Sequence, residues 1–164
     1  METLKELFTD MLQDVYYAET AILKALPKMA KTSKSPELSR LFTDHLEETK
    51  GQVSRLEEIF EMMDMKAKGK KCHAIEGLIK EAEDVMEDIT DAAVRHAGML
   101  ADAQAVEHYE MARYGTLVAW AKQLKLSDAA KLLDQTLGEE KTADQKLSKL
   151  AASINEAAGK TNRN

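Results

Sequence analysis

The sequence predicts an all-α protein: a four-helix bundle of two antiparallel helix hairpins, joined by a long crossover that carries an extra short helix. Three observations carry this prediction. The 164 residues include only seven Gly and two Pro amid many Ala, Leu, Lys, Glu and Met, a helical composition. Four long stretches repeat apolar residues every three or four positions, the period of an amphipathic helix. Short polar breaks separate the first stretch from the second and the third from the fourth, whereas a far longer segment separates the second from the third.

Length and composition set further bounds. A chain of this size fills one domain with a sizeable core, expected over residues 1–158, with 159–164 as a frayed polar tail. Nine Met beside three Phe and one Trp suggest a core of flexible aliphatic filler. A net charge of −6 argues against nucleic acid as a partner. No apolar run approaches the roughly 20 residues of a membrane span, and Met1-Glu2-Thr3-Leu4 does not read as a signal peptide. The single cysteine, Cys72, excludes an internal disulfide framework and fits a reducing cytoplasm.

The first helix is expected from Thr3 to Met29, with Leu4, Phe8, Leu12, Val15, Ile22, Leu23 and Leu26 forming a stripe centred on Glu19. Pro27 should kink or end it. Ser35-Pro36-Glu37 then reads as a helix start, with Ser as N-cap, Pro at the first position and an acid in the first turn. The second helix, Pro36 to Met63, turns Leu38, Leu41, His45, Leu56 and Ile59 inward, and Glu48 and Gln52 share that face. A basic, Gly-containing break at 66–71 reads as a solvated turn, and Ile75, Leu78, Ile79, Ala82 and Met86 mark a shorter helix from His73 to Asp88.

The third long helix, Asp91 to Leu124, holds Glu107-His108-Tyr109-Glu110. At about 100° per residue, Leu100, Met111, Tyr114 and Val118 fall within about 40° of Glu107. Its apolar stripe is therefore centred on a carboxylate. After a turn at Lys125–Ser127, with Ser127 as expected N-cap, the fourth helix runs from Asp128 to Glu156. Leu133, Leu137, Leu147, Ala151 and Ile154 point inward, Glu140 sits at the centre, and Asp144 lies one turn later.

Short loops make the first and second helices neighbours, and likewise the third and fourth. One long crossover between two hairpins is the connectivity of ferritin-like bundles. In an antiparallel hairpin, residues equidistant from the loop lie at one height. The midpoint of Glu19 and Glu48 falls inside the Lys31–Ser35 loop, and that of Glu107 and Glu140 falls beside the Lys125–Ser127 turn. One inward glutamate from each helix is thereby expected at the waist of the bundle.

A lone Glu on an apolar stripe usually snorkels or pairs with an Arg. Four at one height would repel one another unless a cation met them. Few basic residues share these faces, with Arg55 and His96 both remote, so two divalent metal ions are the expected compensation. The di-metal carboxylate pattern has one Glu from each of two helices and Glu-x-x-His from each of the others. Here the His slots after Glu48 and Glu140 hold Gly51 and Ala143. Neighbours three or four residues away substitute: His45 and Gln52 beside Glu48, Glu110 beside Glu107, and Asp144 beside Glu140. The predicted ligands are Glu19, Glu48, Glu107, Glu140, Glu110, Asp144 and His45. Gln52, Tyr114 and Tyr16 are expected as hydrogen-bonding support. Such an oxygen-rich, imidazole-poor set suits Fe or Mn better than Zn or Cu. By the general pattern Glu19 and Glu140 serve as terminal ligands, and Glu48 and Glu107 as bridges. His108 should flank the site. Cys72 and His73, with no second Cys nearby, are weak evidence for zinc.

Several stretches resemble the YciE/YciF family of ferritin-like proteins. They are His45-Leu46-Glu47-Glu48-Thr49 with Gly51-Gln52, Cys72-His73-Ala74-Ile75-Glu76-Gly77-Leu78-Ile79, Val106-Glu107-His108-Tyr109-Glu110, Tyr114-Gly115-Thr116-Leu117 and Glu139-Glu140-Lys141. The resemblance runs from Leu4 to about Ile154. It implies a dimeric ferritin-like bundle with a di-metal site and a stress-associated role, and it carries no defined reaction. Three functions are expected to compete. The first is a redox-active di-iron or di-manganese protein, an oxidoreductase reacting with O₂ or peroxide. The second is metal binding without turnover, and the third is a stress-response bundle whose site is structural. Phe42, Phe60 and Trp120 either complete a dimer face or cap the core.

Overall fold

The computed structural model describes residues 1–161 and contains five helices, α1 (Leu4–Thr32), α2 (Pro36–Met62), α3 (His73–Asp88), α4 (Ala92–Gln123) and α5 (Ser127–Lys160). No strand occurs among the described residues. Most helix starts are fixed by local chemistry. At α1, the Thr3 hydroxyl accepts the Glu6 N–H at 3.2 Å while the Glu6 carboxylate accepts the Thr3 N–H at 3.0 Å, a reciprocal capping box. Ser35 caps α2 with Pro36 in its first turn, Asp91 caps α4, and the Cys72 Sγ accepts the Ile75 N–H at the start of α3.

Three local expectations change. Pro27 does not end α1, which runs on to Thr32. The ring sits on the exposed face, while Met29 is buried and its carbonyl accepts the Ser33 N–H at 3.0 Å, so the last turn is held from both sides. Ser127 is the first residue of α5 and not its cap; Leu126 occupies that position without a side-chain hydrogen bond. The cause lies at the end of α4, where Lys125 takes a left-handed backbone (φ 59°) and the Leu126 N–H closes on the Ala121 carbonyl at 2.9 Å. At the other end α5 continues through Gly159 to Lys160, whose ammonium pairs with Glu156 at 2.8 Å. Residues 162–164 of the expected tail lie outside the described residues.

α1 packs on α2 and α4 on α5, each pair joined by a short turn, and α2–α5 and α1–α4 contacts close the bundle. α3 covers α1 and α4. Its approach requires Gly98, because a Cβ there would lie 2.7 Å from the Val85 side chain. The buried positions of α1 step alternately by four and three: Phe8, Leu12, Val15, Glu19, Ile22, Leu26 and Met29. α4 does the same through Leu100, Ala103, Glu107, Glu110, Tyr114 and Leu117. This is the spacing that interlocks near-antiparallel helices. The apolar core falls into two halves. Phe8, Leu56, Phe60 and Leu133 belong to one, and Ile22, Leu38, Phe42 and Leu147 to the other. Each such side chain contributes about 1.5–3 kcal/mol of burial. Phe42 and Phe60 are core residues, and Trp120 packs against the half that holds Phe8 and Phe60.

Candidate metal centre

Between the two core halves the same steps bring polar side chains to the bundle axis. His45 of α2, Glu107 and Glu110 of α4 and Glu140 of α5 are all buried, and each offers one ligand atom within 4.8 Å of the others. Glu19 of α1 is fully buried. One of its oxygens accepts the Tyr114 hydroxyl proton. Gln52 donates to Glu140 Oε1 and, at 3.2 Å, to Glu139 Oε2. Arg55 pairs with Glu139 and donates its Nε–H to the Thr136 hydroxyl at 3.0 Å. Support thus extends outward from the carboxylates to a fixed guanidinium.

Little protein charge answers the carboxyls inside, and Arg55 offsets Glu19 only in part. Burial, and then the charge of Glu140, lifts Glu19 to about 8, although the Tyr114 hydrogen bond works against this. Burial raises Glu107 to about 7. Glu140 is raised by burial and by its bond to Glu107, and Glu110 is pushed well above the carboxylate range by burial and the neighbouring glutamates. His45 moves the opposite way, down to about 4, because burial disfavours its cation and Lys146 adds to the effect. A neutral imidazole is ready to donate a lone pair. Both His45 ring nitrogens, both Glu110 oxygens and one oxygen each of Glu19, Glu107 and Glu140 are buried with no hydrogen-bond partner. Orphaned buried polar atoms are costly. Here they converge on one spot, and the donor set can hold a metal ion.

The sequence-predicted residues divide clearly. His45, Glu107, Glu110 and Glu140 come together, Glu19 stands beside them, and Tyr114 and Gln52 support them. Glu48 stands at the edge of the cluster: it is half-buried, pairs with Lys146 at 3.3 Å and keeps an oxygen 3.9 Å from His45 Nδ1. The core steps of α2 run Leu38, Phe42, His45, Thr49, Gln52, Leu56 and Ile59, so Glu48 falls one residue, or about 100°, off the buried face. Asp144 is displaced for the same reason. α5 buries Glu140, Ala143 and Leu147, and Asp144 meets the exposed His108 at 3.1 Å. The Tyr16 hydroxyl donates to Glu57 at 2.8 Å and not to a site carboxylate. The contribution of Glu139, Arg55 and Thr136 was not anticipated. The step from Phe42 through His45, Thr49 and Gln52 is the sequence signal that marks Gln52, rather than Glu48, as facing Glu140.

Comparison with known proteins places the whole chain in a family. A family model described as "Domain of unknown function (DUF892)" matches residues 3–159. Protein YciF of Escherichia coli K12 is 47% identical over 152 residues, covering 92% of each chain. The chain belongs to the YciE/YciF family. Solved structures agree with this membership. The crystal structure of the E. coli stress protein YciF superposes with a TM-score of 0.91 at 45% identity, covering 95% of this chain and 99% of that one. YcfI from Rhodopseudomonas palustris gives 0.88 at 48% identity, over 90% and 94%. A protein from Xanthomonas campestris shares the fold, with a TM-score of 0.76 at 23% identity over 99% and 100%.

Proposed function

We propose that the protein is a ferritin-like di-metal carboxylate protein that holds two Fe or Mn ions and reacts with O₂ or peroxide in stress protection. The observation that carries this reading is the convergence of His45, Glu107, Glu110 and Glu140 with unpartnered donor atoms. Glu19 would supply a fifth ligand beside His45, Glu107, Glu110 and Glu140. A bound Fe or Mn pair supplies redox equivalents and an open coordination position for the oxidant. The chain's own residues prepare that chemistry. Tyr114 holds one oxygen of Glu19 and leaves the other free, and Gln52 orients Glu140 in the same way. The protonated carboxyls release their protons as metal enters, so affinity rises with pH. The apolar half around Phe8, Leu56 and Phe60 closes one side of the waist. The reading includes a homodimer, with metal ions and a small oxidant as its other partners. No helix among the described residues is long and apolar enough to cross a membrane.

Metal analysis by mass spectrometry after purification without chelator tests the centre. About two Fe or Mn per chain, lost in Glu107→Ala/Glu140→Ala, are expected, together with peroxide consumption by the loaded wild type. A wild-type chain that refuses Fe²⁺ and Mn²⁺ on reconstitution overturns the reading. A second reading, a non-catalytic bundle in which the metal serves stability, draws on the description of the R. palustris relative as a structural protein. Under it, metal removal lowers the melting temperature and peroxide consumption does not exceed that of free metal.

A further inference from the structure

A metal centre buried in a helical bundle needs a way in, and residual exposure marks its side. Glu19, Glu110 and Glu140 are at most 1% exposed, whereas Glu107 keeps 4% and His45 7%. Those two residues border a cavity of about 60 Å³ that Glu48 and Lys146 border as well. Such a volume holds a few waters. One to two turns further along α2, the seam with α5 is shut. There Arg55 holds Glu139 and the Thr136 hydroxyl, and the buried Gln52 bridges Glu139 and Glu140.

On the open side, ligand-type atoms stand in file from rim to centre. Lys146 Nζ lies 3.3 Å from Glu48 Oε1, and the other oxygen of Glu48 lies 3.9 Å from His45 Nδ1. That nitrogen is in turn 3.6 Å from Glu107 Oε1. Lys146 and Glu48 are half-buried, His45 and Glu107 buried, so the file runs inward. Both His45 nitrogens and one oxygen of Glu107 lack hydrogen-bond partners, which leaves the inner end free to accept a cation. At the outer end the Lys146 ammonium already occupies Glu48. An ion pair between half-exposed groups is weak, so a divalent cation can replace the ammonium without parting the helices.

We propose that Lys146 gates metal entry: its ammonium holds Glu48 at the rim, and a divalent cation enters between α2 and α5 by replacing that ammonium on Glu48 and passing on to His45 and Glu107. The inference rests on the metal-centre reading of the same site and names its port. Glu48 is thereby a transit ligand, and Lys146 a positioning residue that acts through it.

Stopped-flow mixing of metal-free protein with Co²⁺ tests the gate, with the visible absorbance of bound Co²⁺ as the signal. Lys146→Met should load about ten-fold faster than wild type and Glu48→Gln about ten-fold slower, the scale on which local charge alters the approach of an ion. Both should bind the wild-type amount at saturation. Lys146→Met/Glu48→Gln should be as slow as Glu48→Gln alone, because the gate works through that carboxylate. Lys149→Met removes the same charge from an exposed site on α5 that does not border the cavity, and its rate should stay within about two-fold of wild type. An unchanged rate in Lys146→Met or in Glu48→Gln, an equal gain in Lys149→Met, or a double variant faster than Glu48→Gln each overturn the proposal. A wild type that takes up no Co²⁺ removes centre and gate together. One that loads at a rate indifferent to Glu48 and Lys146 removes the gate and keeps the centre.

Discussion

Tyr114 shows how much one buried hydroxyl can decide. It is fully buried, and its hydrogen bond fixes one oxygen of Glu19 while leaving the other free. Gln52 does the same for Glu140 from the neighbouring hairpin. Partners that orient ligands typically change metal affinity about 10–100-fold when removed. Tyr114→Phe should therefore weaken Fe²⁺ or Mn²⁺ binding by about ten-fold or more with helical content retained. Titration of the metal-free variant checks this, and an unchanged affinity would show that Glu19 needs no support. His96 is a residue of another kind. Its Nε2 accepts the Lys34 N–H at 2.9 Å, pinning the α1–α2 turn far from the cluster, so its role is structural.

At the scale of the element, helix ends and helix faces are set by different physics. Caps at Thr3, Ser35 and Asp91 are local, three residues from the groups they satisfy, and they read directly from the chain. The α4–α5 turn is less local. Lys125 adopts a left-handed conformation that costs a non-glycine residue about 1 kcal/mol. Its side chain is exposed, so Lys125→Gly should stabilise the protein by about 0.5–1 kcal/mol, measured as a shift in the urea midpoint without a change in slope. Destabilisation would mean that the lysine contributes contacts worth more than its strain. Helix faces depend on neighbours. Helix face and hairpin register point Glu48 inward, and its spacing from Glu140 points Asp144 inward, yet the four-and-three steps of α2 and α5 bury Thr49, Gln52 and Ala143 instead. Lys146 and His108 then hold the two displaced carboxylates outside.

For the whole molecule, a polar waist between two apolar halves ties stability to pH and metal together. Glu19 and Glu107 have folded-state values near 8 and 7 against an ordinary value of 4.5. A raised carboxyl contributes stability that is complete below its unfolded value and is lost as pH rises through the folded one. His45, lowered to about 4 from 6.5, acts oppositely: its contribution is complete above the unfolded value and is lost as pH falls through the folded one. Between about pH 6.5 and pH 9 only the carboxylate effect remains. The melting temperature of chelator-treated protein should fall across that window, and added Fe²⁺ or Mn²⁺ should reverse the fall. A metal-free melting temperature that stays flat or rises would contradict the buried-carboxylate account.

The helices, their pairing through short turns, the crossover helix at His73–Asp88 and the mid-length positions of Glu19, Glu107 and Glu140 are legible along the chain. These follow from composition, apolar period and loop length, which are properties of neighbours along the chain. Which carboxylates share a site depends on how the helices pack. A shift of one residue turns a helical side chain by about 100°, and packing between helices fixes that rotation. This is why Glu110, His45 and Gln52 enter the waist while Glu48 and Asp144 stay at its edge. The cavity beside His45 and Glu107 also depends on residues from all five helices, so it exists only once they have packed.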